Sequence, residues 1–155
     1  MINFLIFSPI FLYFFCLSKD FFLYCLDKLG RKRVILDRES NEPYLERYYL
    51  FLKDRGSFPF NIFLHKFLKS DPDDLHDHPW GYTTIILSGG YWEYTKQGKF
   101  WRKPFFYQTV PATHCHRIEI EYNTSATWTL FIPHKKEREW GFYKSCTRFD
   151  CIVQW

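Results

Sequence analysis

Along most of this chain apolar and polar side chains alternate in short runs broken by turn residues. That is the period-two pattern of half-buried strands rather than the 3.6-residue period of helices. Arg33 to Asp37 predicts a first strand, and Tyr44 to Lys53 and Phe60 to Leu68 predict two more, with a turn at Asp54-Arg55-Gly56-Ser57 between them. Tyr82 to Leu87 is the next, turned by Gly89-Gly90 into a returning strand over Tyr91 to Thr95. Lys96-Gln97-Gly98-Lys99 turns again, and Phe100 to Val110 continues as sheet with a break at Pro104. Ile118 to Tyr122 and Thr127 to Ile132 predict a hairpin around Asn123-Thr124-Ser125, and Trp140 to Tyr143 and Cys151 to Val153 close the chain. Short strands with turns roughly every 8 to 12 residues predict an all-β barrel or sandwich.

The start of the chain departs from this pattern. Met1 to Ser18 carries no charged side chain and is rich in Phe, Leu and Ile. Asp20 to Leu29 then predicts a short helix stopped by Gly30. Three readings of the apolar segment stand side by side. It is a membrane anchor, since about 20 apolar residues span a bilayer, with Lys19, Lys28, Arg31, Lys32 and Arg33 keeping the domain on the cytoplasmic side. It is an extension packed on the domain, or it reflects a gene start placed too far upstream. A cleaved secretory signal fits poorly, with no basic start and no small-x-small site. Pro9 weakens a helix here in water. The expected organisation is a hydrophobic, partly helical extension over residues 1–25 and one β-barrel domain over 26–155.

Composition narrows the function. The 155 residues suit one domain, and 46% hydrophobic content supplies a core. The 23% aromatic content favours pleated, half-buried surfaces. A net charge of +4, with both signs interspersed, is too mild to argue for nucleic acid. Arg31-Lys32-Arg33 is diluted by Asp37, Arg38 and Glu39 and reads as a solvated turn. Cys16, Cys25, Cys115, Cys146 and Cys151 form no CxxC pair, which favours reduced thiols in the cytoplasm over a disulfide framework or a thiolate zinc site. No glycine-rich phosphate loop or nucleophile elbow is present, which removes nucleotide-dependent reactions.

Four of the six histidines fall in two pairs, His76 and His78 in LHDHPW and His114 and His116 in THCH. Residues two apart on a strand share a face. His76 and His78 therefore point together, with Asp77 on the other side, and Cys115 points away from His114 and His116 into the core. A facial metal set needs two ligands at adjacent same-face positions and a third from another strand. His76, His78 and one of His114 or His116 satisfy that. Imidazole suits iron, zinc, manganese, nickel or copper, and an all-histidine set leaves coordination positions open for catalysis. His65, in an apolar strand, either points into the same cavity or is a hydrogen-bonded core histidine, and His134 after Pro133 reads as exposed in a polar loop. Arg47, Arg117 and Glu119 lie in β segments and must pair if buried; Arg117 faces away from His116, toward a structural salt bridge.

This arrangement resembles the cupin superfamily. Its first motif is HxH, a Glu and a Gly; His76, His78 and Gly89 match, while the Glu position falls at Tyr82 or Gly81. In the second motif Pro111 and His116 match, Thr113 replaces the Gly and Ile120 the Asn. More narrowly, Tyr44-Leu45-Glu46-Arg47, Leu64-His65-Lys66-Phe67, Asp71-Pro72-Asp73, LHDHPW, His116-Arg117-Ile118-Glu119 and Glu139-Trp140-Gly141-Phe142 look like a small cupin family of phages, large viruses and bacteria. The resemblance covers Leu26 to Tyr143. It implies a double-stranded β-helix holding a metal inside the barrel, in the host cytoplasm if the chain is viral. Cupin thiol dioxygenases bind Fe(II) through three histidines without a carboxylate, a set that His76, His78 and His116 would reproduce. Neutral ligands leave the site positive, which suits an anionic substrate.

The expected function is therefore an Fe(II)-dependent dioxygenase of a small polar or anionic substrate, with zinc, manganese or nickel as other metals and His114 as reserve ligand. Tyr82 would donate a hydrogen bond to bound oxygen, and Glu93 would act as acid or base if it faces inward. The alternatives are a metal-assisted sugar isomerase or epimerase, and a non-catalytic binding or virion-associated module. A small-molecule substrate, no nucleic acid, membrane contact through residues 1–18 and a homodimer complete the expected partners.

Overall fold

The computed structural model describes residues 9–38, 40–72, 74–121, 126–139, 141–145 and 150–154. One helix, α1 (Pro9–Lys28), leads into β1 (Lys32–Leu36), β2 (Pro43–Tyr49), β3 (Phe63–Phe67), β4 (Leu75–His76), β5 (Trp80–Ser88) and β6 (Tyr91–Thr95). β7 (Gly98–Arg102), β8 (Tyr107–Val110), β9 (His116–Glu119), β10 (Thr127–Lys136), β11 (Gly141–Ser145) and β12 (Asp150–Gln154) follow. They form two six-stranded sheets, ordered β1-β2-β3-β10-β5-β8 and β12-β11-β4-β9-β6-β7. Every described ladder is antiparallel.

The alternation read from the sequence is the alternation of burial. In β3 it buries Phe63, His65 and Phe67, and in β10 Thr127, Thr129 and Phe131. Leu45, Phe67 and Ile86 of one sheet pack with Tyr91 and Ile118 of the other in a single cluster, so the sheets face each other across the core. Each such side chain contributes about 1.5–3 kcal/mol when fully buried. A second cluster of Phe63, Tyr82 and Phe131 lies beside the histidines.

Two expected connections change. Ile118 to Tyr122 and Thr127 to Ile132 do not make a hairpin: β9 pairs with β4 and β6, whereas β10 pairs with β3 and β5. The intervening Asn123-Thr124-Ser125 lies outside the described residues. Gly89-Gly90 does turn the chain, but β6 enters the opposite sheet instead of returning beside β5. Both glycines have positive φ, and a Cβ on Gly89 would sit 2.7 Å from Thr127 Oγ1, so the crossing depends on backbone that only glycine supplies without strain. The strand expected over Tyr44 to Lys53 stops at Tyr49, because the Asn61 side chain takes both backbone groups of Leu52. His134 lies in β10 rather than in a loop, and its Nε2 meets Thr83 Oγ1 at 3.1 Å.

α1 is longer than expected and runs through residues 25 and 26 without a break. Pro9 is its first residue, where the missing N–H costs nothing. Its end is a Schellman cap: Arg31 N–H donates to Leu26 O and Gly30 N–H to Asp27 O, with Gly30 at φ +62°. Leu26 is buried and α1 packs against β2, while Phe21, Phe22, Tyr24 and Leu29 are exposed. Among the described residues no helix is long and apolar enough to cross a membrane. Residues 1–8 of the expected anchor lie outside the described part.

Candidate metal centre

His76 ends β4 and His116 begins β9, and the two are directly paired across the ladder. Cross-strand neighbours sit with Cβ atoms about 4.5–5.5 Å apart, which brings the rings to a centroid separation of 5.2 Å. His78 lies just past the end of β4, yet its ring is also 5.2 Å from both others. Asp77 between them turns away and, fully buried, accepts from Arg138 Nη1 at 3.0 Å. One nitrogen from each of His76, His78 and His116 lies within 4.8 Å of the others, and Nε2 of His78 is 3.0 Å from Nε2 of His116. All three line a cavity of about 380 Å³ between the sheets.

Their electrostatics suit ligation. Burial holds His78 well below the ordinary histidine pKa and lowers His76 to about 4, so both rings are neutral with lone pairs available. His116 is oriented from behind. Its Nδ1 donates to Glu93 Oε1 at 3.0 Å, leaving the Nε2 lone pair toward the cavity. Glu93 faces inward and is fully buried, but it does not line the cavity. Its carboxylate accepts from Arg102 Nε at 2.7 Å, Gln108 Nε2 at 3.2 Å and His114 Nε2 at 3.0 Å as well. Burial alone would raise that carboxyl; the hydrogen bonds from His114, His116 and Arg102 outweigh it and hold it well below the usual carboxylate range.

His114 thus lies behind His116, outside the cavity lining, with its Nε2 on Glu93. Glu93, His114 and His116 form a second donor set sharing His116, but Arg102 already balances its carboxylate. The Tyr82 hydroxyl is 3.3 Å from His116 Nε2, and its ring stacks on Phe131 at 4.8 Å. Burial pushes this phenol well above its ordinary pKa, so it stays protonated and can donate.

His65 meets both expectations at once: it is buried, lines the cavity and accepts from Arg47 Nε at 3.0 Å. Arg117 lies 3.8 Å from Glu119 and 3.8 Å from the Tyr94 ring centroid, away from the histidines. Cys115 is a buried thiol. Arg102, Gln108 and Thr129 were not singled out by sequence reasoning. Thr129 carried a signal nonetheless, as a polar residue on the apolar face of β10.

Neither a protein-family model nor a curated protein sequence matches the chain. Solved structures do match in fold. Fe(II) HppE aligns at TM-score 0.52 and 14% identity over 67% of this chain, which spans 57% of the length of that one. An RmlC-like cupin protein from Ralstonia eutropha aligns at TM-score 0.52 and 14% identity, covering 79% of this chain and 71% of that chain. A sugar phosphate isomerase of the cupin superfamily from Silicibacter pomeroyi aligns at TM-score 0.50 and 13% identity, covering 65% of each. The chain therefore has the cupin fold, an all-β double-stranded β-helix preceded by a helix, with three histidines placed between its sheets where they could hold a metal ion.

Proposed function

We propose that this chain is a metal-dependent oxygenase-type enzyme that holds Fe(II) on His76, His78 and His116 and acts on a small polar or anionic substrate. The observation that carries the reading is the donor set: three imidazoles, no carboxylate, all facing one cavity. His78 Nε2 and His116 Nε2 lie 3.0 Å apart, and one nitrogen of each of the three histidines lies within 4.8 Å of the others, so all three could serve one ion. The metal, when bound, would supply Lewis acidity and electron-transfer chemistry to substrate and O₂.

The chain's own residues then divide the work. Glu93 keeps the His116 proton on Nδ1, which makes it a positioning residue; with four donors on its carboxylate and no place in the cavity wall, it has no route to a substrate proton. Tyr82 donates from the cavity wall to an oxygen atom near His116. Phe67, Ile118 and Phe131 exclude water. An isomerase would need a base in the cavity. Tyr82 is held protonated and the His65 lone pair is taken by Arg47, which favours the oxygenase reading.

The test is elemental analysis of untagged protein purified without chelator, wild type against His76→Ala/His78→Ala, followed by oxygen-uptake assays with thiols and other small anions. Iron in the wild type, lost in the variant, with oxygen consumption, is expected. Zinc, manganese or nickel with anaerobic turnover would replace the reading by an isomerase. A metal-free wild type with unchanged fold would leave a binding or virion-associated module.

A further inference from the structure

Three adjacent strands place polar side chains at one level of the cavity wall. Arg47 of β2 pairs with His65 of β3, and His65 pairs with Thr129 of β10. All three line the cavity. Arg47 is half-buried, and its contacts include His65 Nε2 at 3.0 Å, the Phe63 ring at 4.7 Å and the Tyr49 phenol. Among the described residues no carboxylate pairs with it. A buried guanidinium stays charged and costs free energy unless an anion meets it.

The carboxylates on the same wall direct their hydrogen bonds to groups other than Arg47. Asp71 accepts from the Tyr44 hydroxyl and from Ile118 N–H, Asp74 from Arg38, and Asp37 from Ser40 N–H. Arg33 adds further positive charge near Arg47. The Thr129 hydroxyl, 1% exposed, has no hydrogen-bond partner among the described residues, although buried hydroxyls are nearly always paired. His65 takes the Nε–H of Arg47 and the Tyr49 phenol is a further hydrogen-bond partner, which leaves the remaining Nη–H donors to meet an oxyanion end-on.

We infer that this row is an anion clamp: the cavity's ligand carries a carboxylate, held by Arg47 with the Thr129 hydroxyl as a further donor, at the wall built by β2, β3 and β10. The inference deepens the function proposed above by naming the substrate class, and it can fail or stand independently of the metal. Arg47 is placed for this by His65, whose ring packs against both Phe63 and Phe131.

The test compares carboxylates (acetate, malonate, succinate) with the corresponding amides at fixed ionic strength. Binding is read by calorimetry and by the shift in Tm, for chelated and for Zn(II)-loaded protein. In the wild type at least one carboxylate binds and its amide does not, in both forms. Arg47→Met loses at least about tenfold in affinity, Arg47→Lys recovers part of it, and Thr129→Val, which preserves volume, loses a fewfold. Equal carboxylate binding by wild type and Arg47→Met overturns the inference, as does a wild type that does not prefer carboxylates to amides. Carboxylate binding that needs Zn(II) and survives Arg47→Met puts the anion on the metal, which sinks the clamp and supports the metal centre. Binding lost with Arg47 in a protein that takes up no Zn(II) when it is offered upholds the clamp and removes the metal reading.

Discussion

Replacing Glu93 by Gln tests how the metal centre is built. The wild-type carboxylate is fully buried and accepts from His114, His116 and Gln108 at Oε1 and from Arg102 at Oε2. Glutamine keeps the volume but offers one acceptor oxygen and one amino group. With its oxygen at the Oε1 position, three donors keep a partner and the amino group faces the Arg102 N–H. The opposite orientation sets the amino group against three donors, so the first one wins. Hydrogen bonds to an ionised group contribute about 1.5–3 kcal/mol against about 0.5–1.5 for neutral ones, so three weakened bonds cost about 3 kcal/mol together. Arg102 is a fifth exposed (21%) and can turn to water, adding at most about 1 kcal/mol. Glu93→Gln should therefore lower the unfolding free energy of the apo protein by about 3–4 kcal/mol, measured in urea. Loosening the His116 ring should also weaken Zn(II) binding about 10–100-fold in chelator competition, equivalent to about 1.4–2.7 kcal/mol. Arg102→Met is the comparison: Arg102 touches only Oε2, so its loss should weaken Zn(II) binding less than Glu93→Gln does. Wild-type Zn(II) affinity in Glu93→Gln would refute the claim that Glu93 orients His116, and a stability loss under about 1 kcal/mol would refute the buried network.

Tyr82→Phe deletes one hydroxyl from the cavity wall; metal content should be unchanged while oxygen uptake falls on the order of 10²-fold, the usual effect of removing one donor from developing charge. Gly89→Ala forces a Cβ to 2.7 Å from Thr127 Oγ1 at φ +82° and should cost about 1–3 kcal/mol in urea unfolding, with the metal site intact. Burial would raise the Glu46 carboxyl, but the Lys32 hydrogen bond and the Lys66 charge outweigh it and hold it below its ordinary 4.5. Its contribution is therefore present above pH 4.5 and lost as pH falls through the lowered value. Wild type should exceed Glu46→Gln by up to about 1 kcal/mol at neutral pH, with the gap closing in acid; a gap that widens in acid refutes the sign.

Much of the architecture was legible because burial alternates with the sequence pattern. β6 has the bounds read from Tyr91 to Thr95, and the inward Phe63, His65 and Phe67 of β3 are the period-two positions of the predicted strand. What local pattern cannot carry is the destination of a turn. Gly89-Gly90 and Asn123-Thr124-Ser125 both signal reversal, yet the strands that flank them lie in different sheets, because sheet order is settled by long-range pairing. The same limit divides the histidines. His76, His78 and His116 converge as their spacing suggests, since His76 and His116 are also paired across the ladder. His114 has the same spacing from His116, but it precedes β9 in a turn, where strand alternation does not apply, and its ring is drawn to Glu93.

Arg47 and Arg102 make the point most sharply. Both are arginines in strands, and both face the general rule that a buried charge must be met. Arg102 at the end of β7 is paired with Tyr91 at the start of β6, within reach of Glu93, so its charge is balanced inside the protein and serves to hold a carboxylate behind His116. Arg47 on β2 is paired with His65, a residue that burial keeps neutral and that can accept a proton bond but not cancel a charge. The difference lies in the partner that sheet order supplies, which neither arginine's neighbours in sequence reveal. One guanidinium is consumed in holding the Glu93 carboxylate behind His116. The other stands in the same cavity wall as Thr129, whose hydroxyl has no hydrogen-bond partner among the described residues, so the charge rule left unsatisfied there is a statement about the ligand: it must bring the negative charge itself.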